Sequence, residues 1–362
     1  MLKYIDIIRG LAGLFVFITH FKQFLYANYP NTWLLRPIAI LDDSFLFVFG
    51  ANKGLHPAVI IFIVLSGFCI HLPHAKKTNF DGAFWKNYFA RRFIRIFPTY
   101  IWGCILGIIA INLFATTSVS FIQTIVKDLI VIVQYPFLPN IDVPLGNPVL
   151  STVIVEMLLY VFYPIFIYTR KKLQIIPLAL GFVLYCLNIL FALKGYDTTW
   201  VGRNFFAFYI FWVLGAYAAD WYYKFTVEKT TINLKLYNGL IILSLGVYIL
   251  LGSFVQLKGI HLLYSLLLAV ITGGALLTLS LLEKQQPSNS KLVDWICKLS
   301  LVSYTIYATH FALIEIVNKV TTRFNVNNPS LILLIIVVCM LLSYLFVEKP
   351  SHIWAKKLKT KS

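Results

Sequence analysis

The first apolar run of the chain carries three ionisable residues, Asp6, Arg9 and His20, whose side chains could bind an anion and move a proton. Arg9 and His20 are eleven residues apart, which is three helical turns to within about 20°, so they share one helix face. Along the helix axis they are separated by about 16 Å, roughly half of a bilayer core. An ionisable residue inside a membrane is costly unless it faces protein or water, so we interpret these residues as functional.

Two later apolar runs carry a carboxyl group and a second imidazole. In one of them Glu156 is followed by Tyr160 one helical turn later. Two interpretations of Glu156 stay open, a buried structural partner of a cation and a residue that lines a pathway. In the other, Ser303, Tyr307 and His310 recur at steps of four and three, which predicts a polar stripe on one helix face. Such a stripe also occurs as a purely structural feature of membrane helices.

A pair of arginines stands where the third apolar run enters the bilayer. Arg92 and Arg95 are three residues apart and therefore adjacent on one helical face. Two guanidinium groups held at a membrane surface suit phosphate binding. Juxtamembrane arginines also commonly fix topology and contact anionic lipid head groups, and the spacing alone favours this second interpretation.

The composition identifies the class of protein that must position these side chains. Of the 362 residues 59% are apolar and 12% charged, and apolar runs of about 18 to 22 residues recur along the chain. This pattern predicts an all-α polytopic membrane protein with about ten transmembrane helices. We expect the spans at residues 5–27, 57–74, 93–115, 148–169, 173–193, 204–223, 237–255, 262–282, 299–318 and 330–348. The second span holds Ser66 and Gly67, two small residues that let another helix or a ligand come close.

The basic residues are distributed unevenly between the two sides of the predicted spans. Most of the 31 lysines and arginines lie near the start of the chain, in alternate loops and in the tail after residue 349. The positive-inside rule then places both termini in the cytoplasm. The formal net charge of +17 is therefore mainly a topology signal, and we expect no nucleic-acid partner. The five cysteines have no paired spacing, so we expect neither a disulfide framework nor a metal site.

Residues outside the spans add three expectations. Two long connections, residues 28–56 and 116–147, are predicted to lie outside the cell, and loops of that length are usually functional or disordered. Residues 121–135 are expected to form a short interfacial helix, and Pro350 is expected to stop the last helix at the inner surface.

Counting helix rise from the span ends predicts two polar layers in the membrane. The deep layer holds His20, Glu156 and His310, and the cytoplasmic layer, called the arginine layer below, holds Arg9, Arg92, Arg95 and Glu348.

The motifs, taken in order, resemble those of the acyltransferase-3 family of integral membrane proteins. They cover the whole chain: Asp6-x-x-Arg9-Gly10 with His20, Leu65-Ser66-Gly67-Phe68, Arg92-x-x-Arg95-x-x-Pro98, Glu156 with Tyr160, Ser303-Tyr304 through His310, and Glu348-Lys349-Pro350. Two positions depart from the family pattern. Ser151 stands where a tryptophan is usual, and Ile7 stands where a small residue is usual.

The resemblance implies an O-acyltransferase, most often one that moves acetyl from acetyl-CoA to a hydroxyl of a bacterial surface polysaccharide or lipid-linked glycan precursor. It implies a bacterial cytoplasmic-membrane protein with one transmembrane domain (1–350) and a basic cytoplasmic tail (351–362). Many members carry a fused extracytoplasmic hydrolase-like domain, and we expect this chain to be the stand-alone form. The two long external connections carry no recognisable sugar-binding pattern, so the acceptor is not specified by the sequence.

The resemblance also implies roles for individual residues. The phosphates of acyl-CoA would be bound by Arg9, Arg92 and Arg95. His20 would act as general base on the acceptor hydroxyl or carry the acyl group itself, and Glu156 or His310 would orient His20 or bind the acceptor. The expected supporting residues are Asp6, Ser66, Gly67, Tyr160, Ser303, Tyr304, Tyr307 and Glu348.

Two other classes of protein are compatible with the same residues. A proton-coupled transporter could use His20, Glu156 and His310 as a relay. Many transporters have two related halves with interrupted helices, and no such repeat is found here. In a transporter, Arg92 and Arg95 would also have no anionic acyl donor to bind. The third class is a structural or partner-binding membrane subunit, in which the polar stripes serve only packing.

Overall fold

The computed structural model describes residues 2–50, 55–77, 79–115, 120–139, 141, 146–227, 234–252, 260–287 and 290–359, and all regular structure within these ranges is helical. The helices are α1 (Lys3–Asn28), α2 (Leu35–Phe49), α3 (Pro57–His71), α4 (Gly82–Asn112), α5 (Phe121–Gln134), α6 (Leu150–Val161), α7 (Tyr163–Lys172), α8 (Ile176–Leu193), α9 (Thr198–Arg203), α10 (Phe205–Val227), α11 (Leu234–Gly252), α12 (Ile260–Gln285), α13 (Lys291–Cys297), α14 (Leu299–Phe324), α15 (Pro329–Ser343) and α16 (Lys349–Lys359). A 3₁₀ turn (Leu72–His74) follows α3, and a π-helical turn (Tyr344–Glu348) joins α15 to α16.

The helices confirm the predicted all-α polytopic membrane protein. Seven helical segments in the described ranges are long and apolar enough to cross a membrane, and the bent pair of α6 and α7 makes an eighth if it is one span. The chain breaks between them at Phe162, and Pro164 occupies the first turn of α7, where its missing N–H is tolerated. The predicted spans 204–223 and 237–255 coincide with α10 and α11, although residues 253–255 lie outside the described part. Ten crossings and cytoplasmic termini stay predictions.

The expectations for the connections have mixed outcomes. The short helix expected at 121–135 is confirmed as α5. In the connection 28–56 the chain forms α2, which the sequence pattern did not predict. The prediction that Pro350 stops the last helix is wrong, because the chain continues through the π-helical turn into α16. Pro350 is the second residue of α16, a position whose N–H needs no helical partner. The expected tail thus begins as helix, and residues 360–362 lie outside the described ranges.

The chain contacts divide the protein into two compact units, which are described separately. Unit 1 comprises Met1–Ala12, Phe45–Asn79 and Val161–Leu301, and unit 2 comprises Gly13–Ser44, Phe80–Tyr160 and Val302–Ser362. In unit 1, α3 and α10 touch backbone to backbone at two glycines. A Cβ added to Gly67 would lie 1.9 Å from the Trp212 carbonyl oxygen, and one added to Gly215 would lie 1.8 Å from the Val64 carbonyl oxygen. The partner that comes close to Gly67 is therefore a helix.

Unit 1 also holds a buried ionic cluster between α3, α7 and α10. The ring of His71, which is fully buried, lies 2.9 Å from the Tyr163 hydroxyl through Nδ1 and 2.7 Å from an Asp220 carboxylate oxygen through Nε2. Arg170 donates to both oxygens of the same carboxylate, at 2.7 and 2.5 Å. One carboxylate therefore satisfies a guanidinium and an imidazole on two other helices.

Asp220→Asn is expected to lower the free energy of unfolding of unit 1 by about 3 kcal/mol, because Arg170 would lose its anionic partner in a mostly buried place. Thermal unfolding of the purified protein in detergent measures this change. Asp294→Asn is the matched control, because Asp294 pairs with Lys3 at 2.7 Å in an exposed setting where ion pairs contribute at most about 1 kcal/mol. Equal melting temperatures for the two variants would contradict a stabilising role for the cluster.

Unit 2 is built on an apolar core that α1, α2, α4, α14 and α15 share. Its buried members are Phe17, Phe21, Phe24, Leu25, Leu34, Leu35, Leu106, Ala312, Leu313, Ile314, Val317, Ile332, Ile336 and Met340. Hydrogen bonds also join these helices. Buried Asn147 donates to the carbonyl oxygens of Gly103 at 3.0 Å and Ala308 at 2.9 Å, and the Trp102 indole donates to the Ser343 hydroxyl at 2.9 Å. These bonds fix α14 against α4, and α4 against α15.

Candidate active site

The two intramembrane histidines of the sequence lie in contact in unit 2. Nδ1 of His20, on α1, is 3.2 Å from Nε2 of His310, on α14, and the ring centroids are 5.0 Å apart. His310 is fully buried and His20 is half-buried. The rings of Phe17 and Phe311 pack edge-on against them, at 6.4 Å from His310 and 5.6 Å from His20. The pair therefore stands in apolar surroundings, where interactions between polar groups are strengthened.

Backbone carbonyls fix the protonation pattern of a neutral pair. Nδ1 of His20 is 2.9 Å from the Val16 carbonyl oxygen, and Nδ1 of His310 is 2.8 Å from the Ile306 carbonyl oxygen. A carbonyl oxygen only accepts, so each Nδ1 carries the hydrogen and each Nε2 carries the lone pair. The Nδ1–H of His20 is then shared between the Val16 carbonyl oxygen and His310 Nε2, and the basic nitrogen of His20 is Nε2. In this arrangement the lone pair of His310 Nε2 faces the His20 ring.

The contact between the histidines follows from close packing of two parallel helices. A Cβ added to Gly13 on α1 would lie 3.0 Å from the Ser303 carbonyl oxygen on α14, so the backbones approach closely there. Gly13 and Ser303 each precede the histidine of their own helix by seven residues, which is close to two turns. The histidines therefore meet two turns beyond the close approach. Ser303 lies at this close approach, and its expected supporting role stays a prediction.

A second polar stripe, on α6, is bonded to the stripe on α14. Thr152, Glu156 and Tyr160 recur every four residues on α6 and are all buried. The hydroxyls of Thr152 and Tyr307 share a hydrogen bond, and the Tyr160 hydroxyl donates to the Glu156 carboxylate. Glu156 therefore belongs to the same unit as the histidines, and its described partner is Tyr160. Thr152 was missed in the sequence, although its position one turn before Glu156 was a usable signal.

Arg92 lies at the other end of the α6 stripe. Its guanidinium carbon is 5.6 Å from the centroid of the Tyr88 ring and 5.8 Å from that of Tyr160, within the range of cation–π attraction. From Tyr160 to Thr152 is about 12 Å along α6, and from Tyr307 to His310 is about 4.5 Å along α14. Adding these two rises places Arg92 about 16 Å from the histidine pair. The sequence spacing of Arg9 and His20 along α1 gives a similar separation. Arg95 is partly exposed on the same helix, one turn after Arg92.

Glu348 and Tyr304 hold the N-terminal part of α14 in place. The buried Glu348 carboxylate accepts hydrogen bonds from the backbone N–H of Thr305, at 3.0 Å, and from the Thr305 hydroxyl. The Tyr304 hydroxyl donates to the Ile96 carbonyl oxygen at 3.3 Å, next to Arg95 on α4. Both residues therefore contact the part of α14 or its neighbours that precedes His310, and their expected supporting roles stay predictions.

The remaining predicted site residues, Asp6, Arg9, Ser66 and Gly67, belong to unit 1. Arg9 donates to the Asp6 carboxylate at 3.2 Å and to the sulfur of Cys69 at 2.9 Å. These contacts orient the guanidinium group within unit 1. The expected part of Arg9 in donor binding stays a prediction, and so do the catalytic roles expected for His20, Glu156 and His310.

These features define an all-α polytopic membrane protein with titratable side chains on α1, α4, α6 and α14 inside one helical unit. A family model described as "Acyltransferase domain" matches residues 2–348 of the chain. The chain therefore belongs to the acyltransferase-3 family, and the protein is a multi-pass membrane acyltransferase. Comparison with curated proteins and with solved structures finds no match.

Proposed function

We propose that the protein is an O-acyltransferase, most readily an O-acetyltransferase, that uses cytoplasmic acyl-CoA and acylates a hydroxyl of a surface polysaccharide or lipid-linked glycan precursor in the bacterial cytoplasmic membrane. The observation that carries the proposal is the histidine pair, whose basic nitrogen lies on His20. Membership of the acyltransferase family favours this activity over a proton-coupled transporter that uses the same residues as a relay.

In the proposed reaction His20 is the general base. Its Nε2 takes the proton of the acceptor hydroxyl while the hydroxyl oxygen attacks the thioester carbonyl carbon. The new ester C–O bond forms and the C–S bond breaks. The departing thiolate then takes the proton from His20 Nε2 to give coenzyme A. During the step the His20 ring is a cation, and its Nδ1–H is shared between the Val16 carbonyl oxygen and the lone pair of His310 Nε2. His310 is thus a positioning residue that lowers the cost of that charge.

The donor is proposed to bind with its phosphates at the arginine layer. Arg92 offers a planar fork of donors that suits phosphate oxygens, and the rings of Tyr88 and Tyr160 hold it in place. Glu156 acts through the hydrogen bond that orients Tyr160. Arg95 adds a second positive charge one turn later on α4. The long thioester arm of the donor would then run along the stripes of α6 and α14 toward His20.

Arg92→Ala is expected to raise the donor concentration at half-saturation by about tenfold or more, because a charge-assisted contact to phosphate is lost. Initial rates of acyl transfer at varied acetyl-CoA concentration measure the change, and Arg95→Ala is expected to act in the same direction. Arg91→Ala is the matched control, because Arg91 is the neighbouring cation and donates to its own helix at the Asn87 carbonyl. The same half-saturating acetyl-CoA concentration in all three variants would contradict a role of Arg92 and Arg95 in donor binding.

Purified protein in detergent with radiolabelled acetyl-CoA tests the proposed function itself. Hydrolysis of the donor, or transfer of its label, that depends on His20 supports the enzyme. Proton-driven uptake of a solute into liposomes without any binding of coenzyme A would instead support the transporter.

A further inference from the structure

A cavity of about 540 Å³ opens between the last turn of α1, the following turn of chain and α2. Its volume lies in the range of small-ligand sites, roughly 300–1,000 Å³. The cavity belongs to unit 2 and lies in the first connection, which the charge distribution predicts to be outside the cell. The donor-binding layer is predicted on the opposite side, so the donor does not account for the cavity.

The lining residues supply the groups that bind a sugar. Tyr26 contributes an aromatic ring that is 54% exposed, and Asn31 contributes an amide. On α2, Arg36 and Asp43 are seven residues apart, so they lie on one face at a separation of about 10 Å with the small Ala39 between them. Within the described ranges Arg36 forms no ion pair. The cavity thus presents hydrogen-bond donors at one end, a carboxylate at the other and an aromatic surface beside them.

An ion cluster fixes this cavity relative to the histidine pair. Lys22 on α1 pairs with Asp43 at 2.8 Å and also with Asp42, whose side chain is fully buried. Asp42 in turn accepts a hydrogen bond from the Thr19 hydroxyl, one residue before His20. Helix α2 is therefore bonded to the turn of α1 that carries the proposed base.

We propose that this cavity binds a saccharide unit of the acceptor, with the sugar ring against Tyr26 and its hydroxyls on Arg36, Asn31 and Asp43. The inference rests on the proposed function and assigns its acceptor site. Tyr26 is six residues beyond His20, which is about 9 Å along α1 and about 120° around its axis. The sugar in the cavity would therefore be a different unit from the sugar that is acylated, and the proposed acceptor has more than one sugar unit.

Acceptor saturation of Tyr26→Ala and Arg36→Ala tests the proposal. The assay uses radiolabelled acetyl-CoA and, as acceptor, the alkali-deacylated glycan extracted from the source organism. Each variant is expected to raise the half-saturating glycan concentration by about tenfold or more and to leave donor saturation unchanged, since one hydrogen-bonding or stacking partner is removed. Tyr26→Phe should restore acceptor saturation because it keeps the ring. Trp33→Ala is the control, because Trp33 is 73% exposed in the same turn and does not line the cavity.

The outcomes separate this proposal from the proposed function. Absence of any transfer to the glycan by the unaltered protein would overturn the proposed function, and the acceptor site with it. Suppose that the unaltered protein transfers normally, and that Tyr26→Ala and Arg36→Ala have the same half-saturating glycan concentration as Trp33→Ala. This result would overturn the acceptor site alone. The transfer defect of Arg36→Ala could instead depend on the phosphatidylglycerol content of the nanodiscs and not on the glycan concentration. This result would assign the cavity to a lipid head group and overturn the acceptor site.

Discussion

His20→Gln is expected to bind acetyl-CoA as tightly as the unaltered protein and to transfer the acetyl group about 100- to 10,000-fold more slowly, the usual contribution of a positioned general base. Glutamine keeps polar atoms at about the length of the imidazole and cannot take up a proton near neutral pH. The proposed donor site at Arg92 and Arg95 is about 16 Å away by helix rise, so its occupancy should not change. Single-turnover transfer and equilibrium donor binding measure the two quantities separately.

Two further histidine variants sharpen this prediction. His310→Gln should slow transfer less than His20→Gln and should shift the pH profile of the rate, because it alters the group that faces His20 Nδ1–H. His74→Gln, in unit 1, should leave transfer unchanged. Full activity of His20→Gln would move the base to another residue. A His310→Gln variant with a lower rate but an unshifted pH profile would reduce His310 to a packing role.

Gly67→Ala and Gly215→Ala are each expected to destabilise unit 1 by about 3 kcal/mol or more, at the upper end of overpacking effects. The added methyl group would fall within 2 Å of a backbone carbonyl oxygen on the facing helix, so α3 and α10 would have to separate. Thermal unfolding in detergent and the yield of monodisperse protein report the loss. A lower melting temperature is therefore expected for both variants.

Gly246→Ala is the matched control for these substitutions. Gly246 lies inside helix α11, and a Cβ added there meets nothing within 4 Å. Alanine is the better helix former, so this variant should be as stable as the unaltered protein or slightly more stable. Melting temperatures for Gly67→Ala and Gly215→Ala that equal that of Gly246→Ala would contradict the close helix approach in unit 1.

The sequence was sufficient to predict the class of fold, because apolar runs of membrane-spanning length leave helices as the available structure. It was also sufficient to single out His20 and His310, since each is an ionisable residue in an apolar run. It did not show that they touch, because their contact joins positions 290 residues apart and depends on how α1 packs on α14. Gly13 and Ser303, each seven residues before its histidine, were a signal for that packing.

Other features were not predictable because their local patterns are ambiguous. Helix α2 has Pro37 in its first turn, which marks a loop as readily as a helix start. The cluster of His71 with Asp220 joins residues 149 apart that show no shared periodicity. Pro350 was interpreted as a helix end, whereas the π-helical turn before it lets a new helix begin. In each of these places tertiary contacts decide between local conformations that the sequence alone leaves nearly equal.

The central claim is that His20, held in contact with His310, takes the proton of an acceptor hydroxyl that attacks the thioester of a donor held at Arg92 and Arg95. A structure of the protein with bound coenzyme A tests it most directly. We predict that the phosphates contact Arg92 and that the sulfur points along α6 and α14 toward Nε2 of His20. A nucleotide bound away from Arg92 and Arg95, or a sulfur directed away from His20, would contradict the account.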